Sequence, residues 1–136
     1  ILALNKGIEI VKEYQEDLPI INIDARKIEQ VTMNLISNAI KYTPQNGKII
    51  IKSLTENGFL KVSVSDNGIG ISEEEQDKIF IPYYQSHSGK TSSEKGTGLG
   101  LVIAKMIIVA HGGSIEVKSK LGEGSLFTYT LPIEDV

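Results

Sequence analysis

Two amides and one ammonium fall on a single stripe of the first predicted helix. Asn34, Asn38 and Lys41 are spaced so that their side chains lie within a stripe about 60° wide, at about 100° per residue. The apolar positions of the same segment centre on a separate face: Ile28, Val31, Leu35 and Ala39. Amide oxygens and an ammonium make a poor core but suit a hydrated metal ion and phosphate oxygens. The stripe therefore predicts a site for a metal-bound phosphate compound.

A glycine-rich turn, Asp66-Asn67-Gly68-Ile69-Gly70, follows a predicted strand. Asp66 has the parity of the apolar positions Leu60, Val62 and Val64, so we expect it to point toward the core. An ionised carboxylate there needs a donor, and the exocyclic amine of adenine is a suitable one. Gly68 and Gly70 would let a flat base approach the backbone. The alternative interpretation is an Asx-type turn, in which Asp66 bonds its own backbone.

A second glycine-rich turn, Gly96-Thr97-Gly98-Leu99-Gly100, leads directly into a predicted helix. Free N–H groups and the positive end of the helix dipole make such a junction a potential anion site. The alternative interpretation is a flexible hinge followed by a helix cap. The dinucleotide-binding fingerprint is excluded because Leu101 occupies its third glycine position and no strand precedes the turn.

Two further patterns do not indicate chemistry. Gly89-Lys90-Thr91 resembles the end of a P-loop, but Tyr84 stands where that motif needs its upstream glycine. His87 falls in a stretch without apolar residues. His111 falls at the end of a predicted helix, where an imidazole interacts favourably with the helix dipole, so we expect a structural role for it.

Composition limits the classes of function. The chain has 136 residues, which suits one domain, and its net charge of -3 argues against binding nucleic acid through phosphate neutralisation. The absence of cysteine excludes a disulfide framework, a thiolate nucleophile and a zinc-thiolate site. No signal peptide is visible, and no apolar run reaches the ~18 residues that span a bilayer. Because the chain starts without methionine, we expect it to be a fragment of a longer protein.

The pattern of apolar and turn residues predicts an α/β protein. The predicted elements are strands near 8–11 and 20–23, a helix over 25–42, strands over 48–56 and 59–65, a short helix over 72–80, a helix over 99–110, and strands over 115–119 and 125–131. Asp24 caps the first helix, Pro44 ends it, and Ser72 with Glu75 forms a capping box. The order indicates a two-layer α/β sandwich, with a mixed, mostly antiparallel sheet covered on one face by about three helices. We expect the apolar helix around residues 106–109 to be core.

Four segments, in order and spacing, resemble the ATP-binding catalytic domain of sensor histidine kinases, which has the Bergerat fold. Residues 34–44 resemble its N box, 66–70 its first glycine box, 80–85 its F box and 96–101 its second glycine box. The closing segments 111–113 and 122–127 also resemble the family. The match covers nearly all of residues 1–136, which would form one catalytic and ATP-binding domain, with a dimerisation and phosphoacceptor domain upstream.

The resemblance implies a role for each matching residue. Asn38 would ligate Mg²⁺, while Asn34 and Lys41 would contact the phosphates of ATP or their water shell; these three are the implied catalytic residues. Tyr42 would flank the adenine, and Asp66 would accept from its amine. The other implied nucleotide-binding residues are Gly68, Gly70, Ile71, Phe80, Gly96, Thr97, Gly98, Leu99, Gly100 and Leu101. The polar stretch 86–95 is predicted to be mobile, and residues 84–95 would form the ATP lid.

The F box departs from the family pattern. Pro82 and Gln85 stand where arginines are often found, and Arg26 is the only arginine in the chain. A cation that reaches the γ-phosphate from this chain would therefore be a lysine. The candidates are Lys41, Lys90 and Lys95.

The implied function is phosphoryl transfer from Mg·ATP to a histidine of the dimerisation domain, and then to the receiver domain of a response regulator. We expect a monomeric cytoplasmic domain that contacts neither nucleic acid nor the membrane directly. One alternative is an ATP hydrolase of the same superfold, but Asn34 occupies the position of its general-base glutamate, and an amide cannot serve as that base. The other alternative is a degenerate module that only docks partners.

Overall fold

The computed structural model describes residues 6–82 and 99–133. Its elements are β1 Glu9–Tyr14, α1 Ala25–Tyr42, β2 Lys48–Glu56, β3 Phe59–Asp66, α2 Glu73–Gln76, α3 Gly100–Ala110, β4 Ser114–Lys120 and β5 Gly124–Pro132. The predicted lid, the predicted mobile stretch and three residues of the second glycine-rich turn (Gly96, Thr97 and Gly98) lie outside the described residues.

The sheet has five strands in the order β1-β2-β3-β5-β4. β1 runs parallel to β2, and every other neighbouring pair is antiparallel. The turn between β2 and β3 is Asn57-Gly58, and both residues have positive φ, as a tight hairpin requires. The mixed, mostly antiparallel sheet is confirmed.

The core lies between the sheet and the two longer helices. Alternate residues of β2, β3 and β5 are buried against α1 and α3, in keeping with the period of two along a strand. The sheet contributes Ile49, Ile51, Val62, Val64, Phe127, Tyr129 and Leu131, and the helices contribute Ile28, Val31, Leu35, Ala39, Ala104 and Ile108. The two-layer sandwich is confirmed, and α1 buries the face that its apolar period predicted.

Local signals set both ends of α1. The Asp24 carboxylate accepts from the Lys27 N–H at 3.3 Å, which satisfies one free donor of the first turn. At the other end, the Thr43 hydroxyl donates to the Ala39 carbonyl at 2.6 Å, and Pro44 follows. The Lys6 ammonium donates to the carbonyls of Ile40, Lys41 and Thr43 at 3.0, 3.2 and 3.2 Å. These carbonyls at the end of α1 thus accept from a cation, which also suits the helix dipole.

The predicted strand over 20–23 is wrong. Residues 20–23 form neither helix nor strand, and Ile20 is 99% exposed, while Ile21 and Ile23 pack against the core. β1 pairs in parallel with β2, so the chain leaving β1 must cross over through α1 rather than return in a hairpin. The segment is held beside α3 instead, because the Asp24 N–H donates to His111 Nε2 at 3.1 Å.

Two helix predictions need correction. The short helix α2 spans only four residues, and Ser72 makes no side-chain capping bond, so the capping box does not form. In α3, Met106 is 66% and Val109 57% exposed, so only part of this apolar segment is core. A helix packed on one side can bury only one face, whatever the composition of the other. Within residues 6–82 and 99–133, no helix is long and apolar enough to cross a membrane.

A polar bond joins α1 to the centre of the sheet and yields a stability prediction. The Thr32 hydroxyl donates to the Ile28 carbonyl at 3.1 Å, so it accepts the buried Tyr129 hydroxyl, 2.9 Å away. Thr32→Val leaves that hydroxyl without its acceptor, at a cost of about 1–3 kcal/mol. Tyr129→Phe removes the donor alone and should cost about 1 kcal/mol or less. Urea unfolding of both variants tests the order, and a larger loss in Tyr129→Phe would contradict it.

Candidate functional site

The polar stripe of α1 is partly exposed beside the start of α3. The Asn34 amide donates to the Gly100 carbonyl at 3.0 Å, which joins the N-box segment to the second glycine-rich segment. Asn38 makes no side-chain hydrogen bond within residues 6–82 and 99–133, so its amide oxygen is available to a ligand. The sequence analysis placed Asn34 and Gly100 in one implied site, and the structure brings them together. They are joined by a direct hydrogen bond, which the sequence did not predict.

The end of α1 also contacts the first glycine-rich turn. The Ile69 N–H donates to the Tyr42 carbonyl at 3.3 Å. The Lys41 ammonium lies 6.0 Å from the centroid of the Tyr42 ring, within the range of a cation–π contact. Three separate segments that the sequence singled out thus meet at α1.

Asp66 ends β3 and is buried, with 9% of the residue exposed. The Gly68 N–H donates to its Oδ1 at 2.8 Å, so the Asx-type turn of the alternative interpretation is present. A carboxylate has about four acceptor positions, so the backbone N–H groups of Gly68 and Ser125 leave room for another donor. The turn and an adenine amine are therefore compatible partners of the same side chain.

Burial raises the pKa of the Asp66 carboxyl above its usual value of 3.8, and the backbone N–H groups of Gly68 and Ser125 oppose that rise. The folded chain consequently holds this proton more tightly than the unfolded chain does. The stability contributed by Asp66 is fully present below pH 3.8 and is lost as the pH rises through the raised pKa.

Asp66→Asn removes this titration. We expect the free energy of unfolding of Asp66→Asn, relative to that of the wild type, to increase as the pH rises from about 4 toward 7. Urea unfolding of both proteins across that range measures the difference. A difference that stays flat or falls with pH would contradict a raised pKa for Asp66.

The two glycines of the first turn have a packing role of their own. A Cβ on Gly68 would lie 2.3 Å from the Tyr42 carbonyl oxygen, and one on Gly70 would lie 2.2 Å from that of Lys120. Gly70 also has a φ of +73°, which favours glycine. The turn thus fits closely between α1 and β4. A contact of either glycine with a bound base remains a prediction.

Around the start of α3, the implied residues divide by exposure. Leu99 supplies no side-chain cap to the helix, and Gly100 is exposed, an arrangement that suits an anion at the N-terminus. Ile71, Phe80 and Leu101 are partly buried against the core. Lys105 lies 5.4 Å from the centroid of the Phe80 ring, so Phe80 packs beside α3.

A magnesium ion at this site would depend on the Asn38 amide. Within the part of the chain that the structure describes, no group of three His, Asp or Glu side chains could hold a metal. Mg²⁺, however, usually keeps several waters and takes one or two protein ligands together with substrate phosphates. The uncommitted Asn38 amide on a partly exposed helix face fits that mode of binding.

Several residues that hold the site together were missed by the sequence analysis. Lys6 binds the end of α1, and Ser119 and Gln76 bind the backbone of Ile71. The His111 ring donates from Nδ1 to the Ile107 carbonyl at 2.8 Å and accepts at Nε2 from Asp24, which supports the expected structural role. No local pattern marks Lys6 or Ser119, because the backbone groups that they bind at α1 and Ile71 lie at least 34 residues away.

Comparison with known proteins supports the resemblance to histidine kinase catalytic domains. A family model described as "Histidine kinase-, DNA gyrase B-, and HSP90-like ATPase" matches residues 23–135. The sensor histidine kinase WalK of Bacillus subtilis is 39% identical over 136 residues, which is 98% of this chain and 22% of that protein. The chain thus spans less than a quarter of the length of this curated relative.

Two solved structures share the fold. The nucleotide-free catalytic domain of the histidine kinase ThkA is 35% identical, with a TM-score of 0.82, and the match covers 96% of this chain and 84% of that one. Full-length ShkA, in complex with AMPPNP, is 30% identical, with a TM-score of 0.86, over 99% of this chain and 27% of that one.

Fold and site together define the class of protein, a Bergerat-type α/β sandwich in which the N-box helix meets two glycine-rich segments. The chain belongs to the histidine kinase-, DNA gyrase B- and HSP90-like ATPase family, as a histidine kinase catalytic domain.

Proposed function

We propose that this chain binds Mg·ATP at the junction of α1, the first glycine-rich turn and the start of α3. In the whole protein, it would transfer the γ-phosphoryl group to a histidine on a dimerisation domain. The observation that carries the proposal is the convergence at α1: Asn34 bonds Gly100, and the Tyr42 carbonyl bonds Ile69. These contacts unite the segments that match the nucleotide-binding boxes of the family.

Each group would contribute positioning or charge, which is most of what phosphoryl transfer requires of a protein. The Asp66 carboxylate would accept from the adenine amine, and Tyr42 would flank the base. Asn38 would hold the magnesium ion, which neutralises phosphate charge when bound. The Lys41 ammonium would stabilise the phosphate oxygens. The incoming histidine nitrogen forms a bond to the γ-phosphorus as the bond to the β-phosphate oxygen breaks, and ADP leaves.

Transfer to histidine is favoured over hydrolysis by the chemistry of Asn34. Its amide cannot remove a proton from water, and its nitrogen is already committed to the Gly100 carbonyl. A hydrolase would need a general base in that position. We further propose that the phosphoryl group passes from the histidine to a receiver domain of a response regulator, and that the chain is monomeric apart from its dimerisation domain.

The test is phosphoryl transfer in a mixture of this chain, the dimerisation domain of its own protein and Mg·ATP labelled at the γ-phosphate. We expect the label on the dimerisation domain as an acid-labile, base-stable phosphohistidine. Replacement of the acceptor histidine by alanine should abolish labelling without changing nucleotide binding by this chain. Multiple-turnover release of phosphate, with no labelled histidine, would instead favour the hydrolase.

A further inference from the structure

One hydroxyl on β4 joins the start of β5 to the first glycine-rich turn, which is distant in the sequence. Ser119 Oγ donates to the Gly124 carbonyl at 2.8 Å and accepts from the Ile71 N–H at 2.7 Å. It also lies 2.8 Å from Ser125 Oγ. Because the single hydroxyl hydrogen of Ser119 is directed to Gly124, Ser125 must be the donor in that pair. The Ser119 hydroxyl therefore donates one hydrogen bond and accepts two, which fills its hydrogen-bonding capacity.

The segment that Ser119 holds is the end of the first glycine-rich turn. Asp66 pairs with Ser125 across β3 and β5, which fixes the start of the turn. The Gly122 N–H donates to the Ile69 carbonyl at 2.8 Å, and Ser119 then binds Ile71. The hairpin between β4 and β5 thus supports the turn at its start, middle and end.

The hairpin packs closely against the turn. A Cβ on Gly124 would lie 1.9 Å from the Asp66 carbonyl oxygen, and Gly124 has a φ of +105°. From the other side, the Gln76 amide donates to the carbonyls of Ile71 and Ser119 at 3.0 and 2.8 Å. A displacement of the hairpin at Ser119 would therefore be transmitted to the turn and to the carboxylate of Asp66.

We propose that Ser119 is a positioning residue for base recognition: it fixes the turn so that the Asp66 carboxylate faces the exocyclic amine of adenine. This inference rests on the proposed nucleotide site. Its consequence is specific, since a change at Ser119 should weaken discrimination between purines by their exocyclic group. Contacts to the phosphates, which belong to α1 and α3, should be unaffected.

The test compares the affinities of ADP and IDP, whose hypoxanthine carries a carbonyl oxygen in place of the amine. We expect the wild type to prefer ADP, and Ser119→Ala to reduce that preference about fivefold, the equivalent of one hydrogen bond. IDP affinity itself should change little. Ser114→Ala is the matched control, since Ser114 lies on the same strand and its hydroxyl pairs with Thr130 Oγ1 at 2.9 Å. The control should keep the wild-type preference.

A second variant covers the case in which Ser119→Ala does not fold. Gln76→Ala removes the bonds from the Gln76 amide to the carbonyls of Ile71 and Ser119. It should also reduce the preference for ADP. An unchanged preference for ADP in a folded Ser119→Ala would overturn the role of Ser119 and leave the proposed function intact. If Ser119→Ala is unfolded, an unchanged preference in Gln76→Ala has the same meaning. A wild type that binds both nucleotides equally would overturn it together with the role of Asp66. A wild type that binds neither would overturn the proposed function as well.

Discussion

Asp66→Asn is expected to weaken binding of adenine nucleotides about 10- to 100-fold, the range of a hydrogen bond to a charged acceptor. The amide is a weaker acceptor than the carboxylate, and it can present a donor to the adenine amine instead. The Asx-type bond from the Gly68 N–H can form with either side chain, so the turn itself should persist. Calorimetric titration of the wild type and the variant with ADP measures the effect.

Asp77→Asn is the control for that experiment, because Asp77 is an exposed carboxylate just after α2. It removes the same charge outside the site and should leave ADP affinity unchanged. Circular dichroism of Asp66→Asn under the titration conditions shows whether the variant is folded, so that a loss of binding is not confused with unfolding. Equal ADP affinity in Asp66→Asn and the wild type would remove Asp66 from the site.

Asn38→Ala is expected to abolish the dependence of nucleotide binding on magnesium. The side chain is the one protein ligand that we assign to the metal, and it forms no competing hydrogen bond within residues 6–82 and 99–133. Affinity for Mg·ATP should fall about 10- to 100-fold, in line with the loss of a contact to a charged group. Affinity for ADP without magnesium should change little. Titrations with and without Mg²⁺ separate the two effects.

Ser37→Ala provides the comparison for Asn38→Ala, because Ser37 is an exposed neighbour on the same helix. It should retain both magnesium-dependent and magnesium-independent binding. If Asn38→Ala still responds to Mg²⁺ as the wild type does, the metal ligand lies elsewhere in the chain.

Sequence alone predicted those parts of the fold that depend on local signals. Asp24 caps the start of α1, Pro44 follows its end, and Asn57-Gly58 forms the hairpin turn. A cap, a missing N–H and a positive φ each act within a few residues, so a sequence pattern reveals them. The predicted strand over 20–23 failed because an apolar run becomes a strand only where a partner strand is available. The capping box at Ser72 failed because the Ser72 side chain makes no capping bond in the structure, although the residue types are correct.

The residues of the site also divide into those that a local sequence pattern reveals and those that it does not. The stripe on α1 and the parity of Asp66 follow from helix and strand periods, so they could be read from the sequence. Ser119 and Lys6 could not, because their partners lie 48 residues away in one case and 34 to 37 in the other. Such contacts depend on how the β4–β5 hairpin and the segment before β1 pack, which no local pattern specifies.

We propose above all that this chain binds an adenine nucleotide and that magnesium strengthens the binding. The most direct test is calorimetric titration of the purified chain with ATP, with and without Mg²⁺. We expect saturable binding of one nucleotide per chain, with higher affinity in the presence of Mg²⁺. Absence of binding in both conditions, by a chain that circular dichroism shows to be folded, would contradict it and favour the docking module.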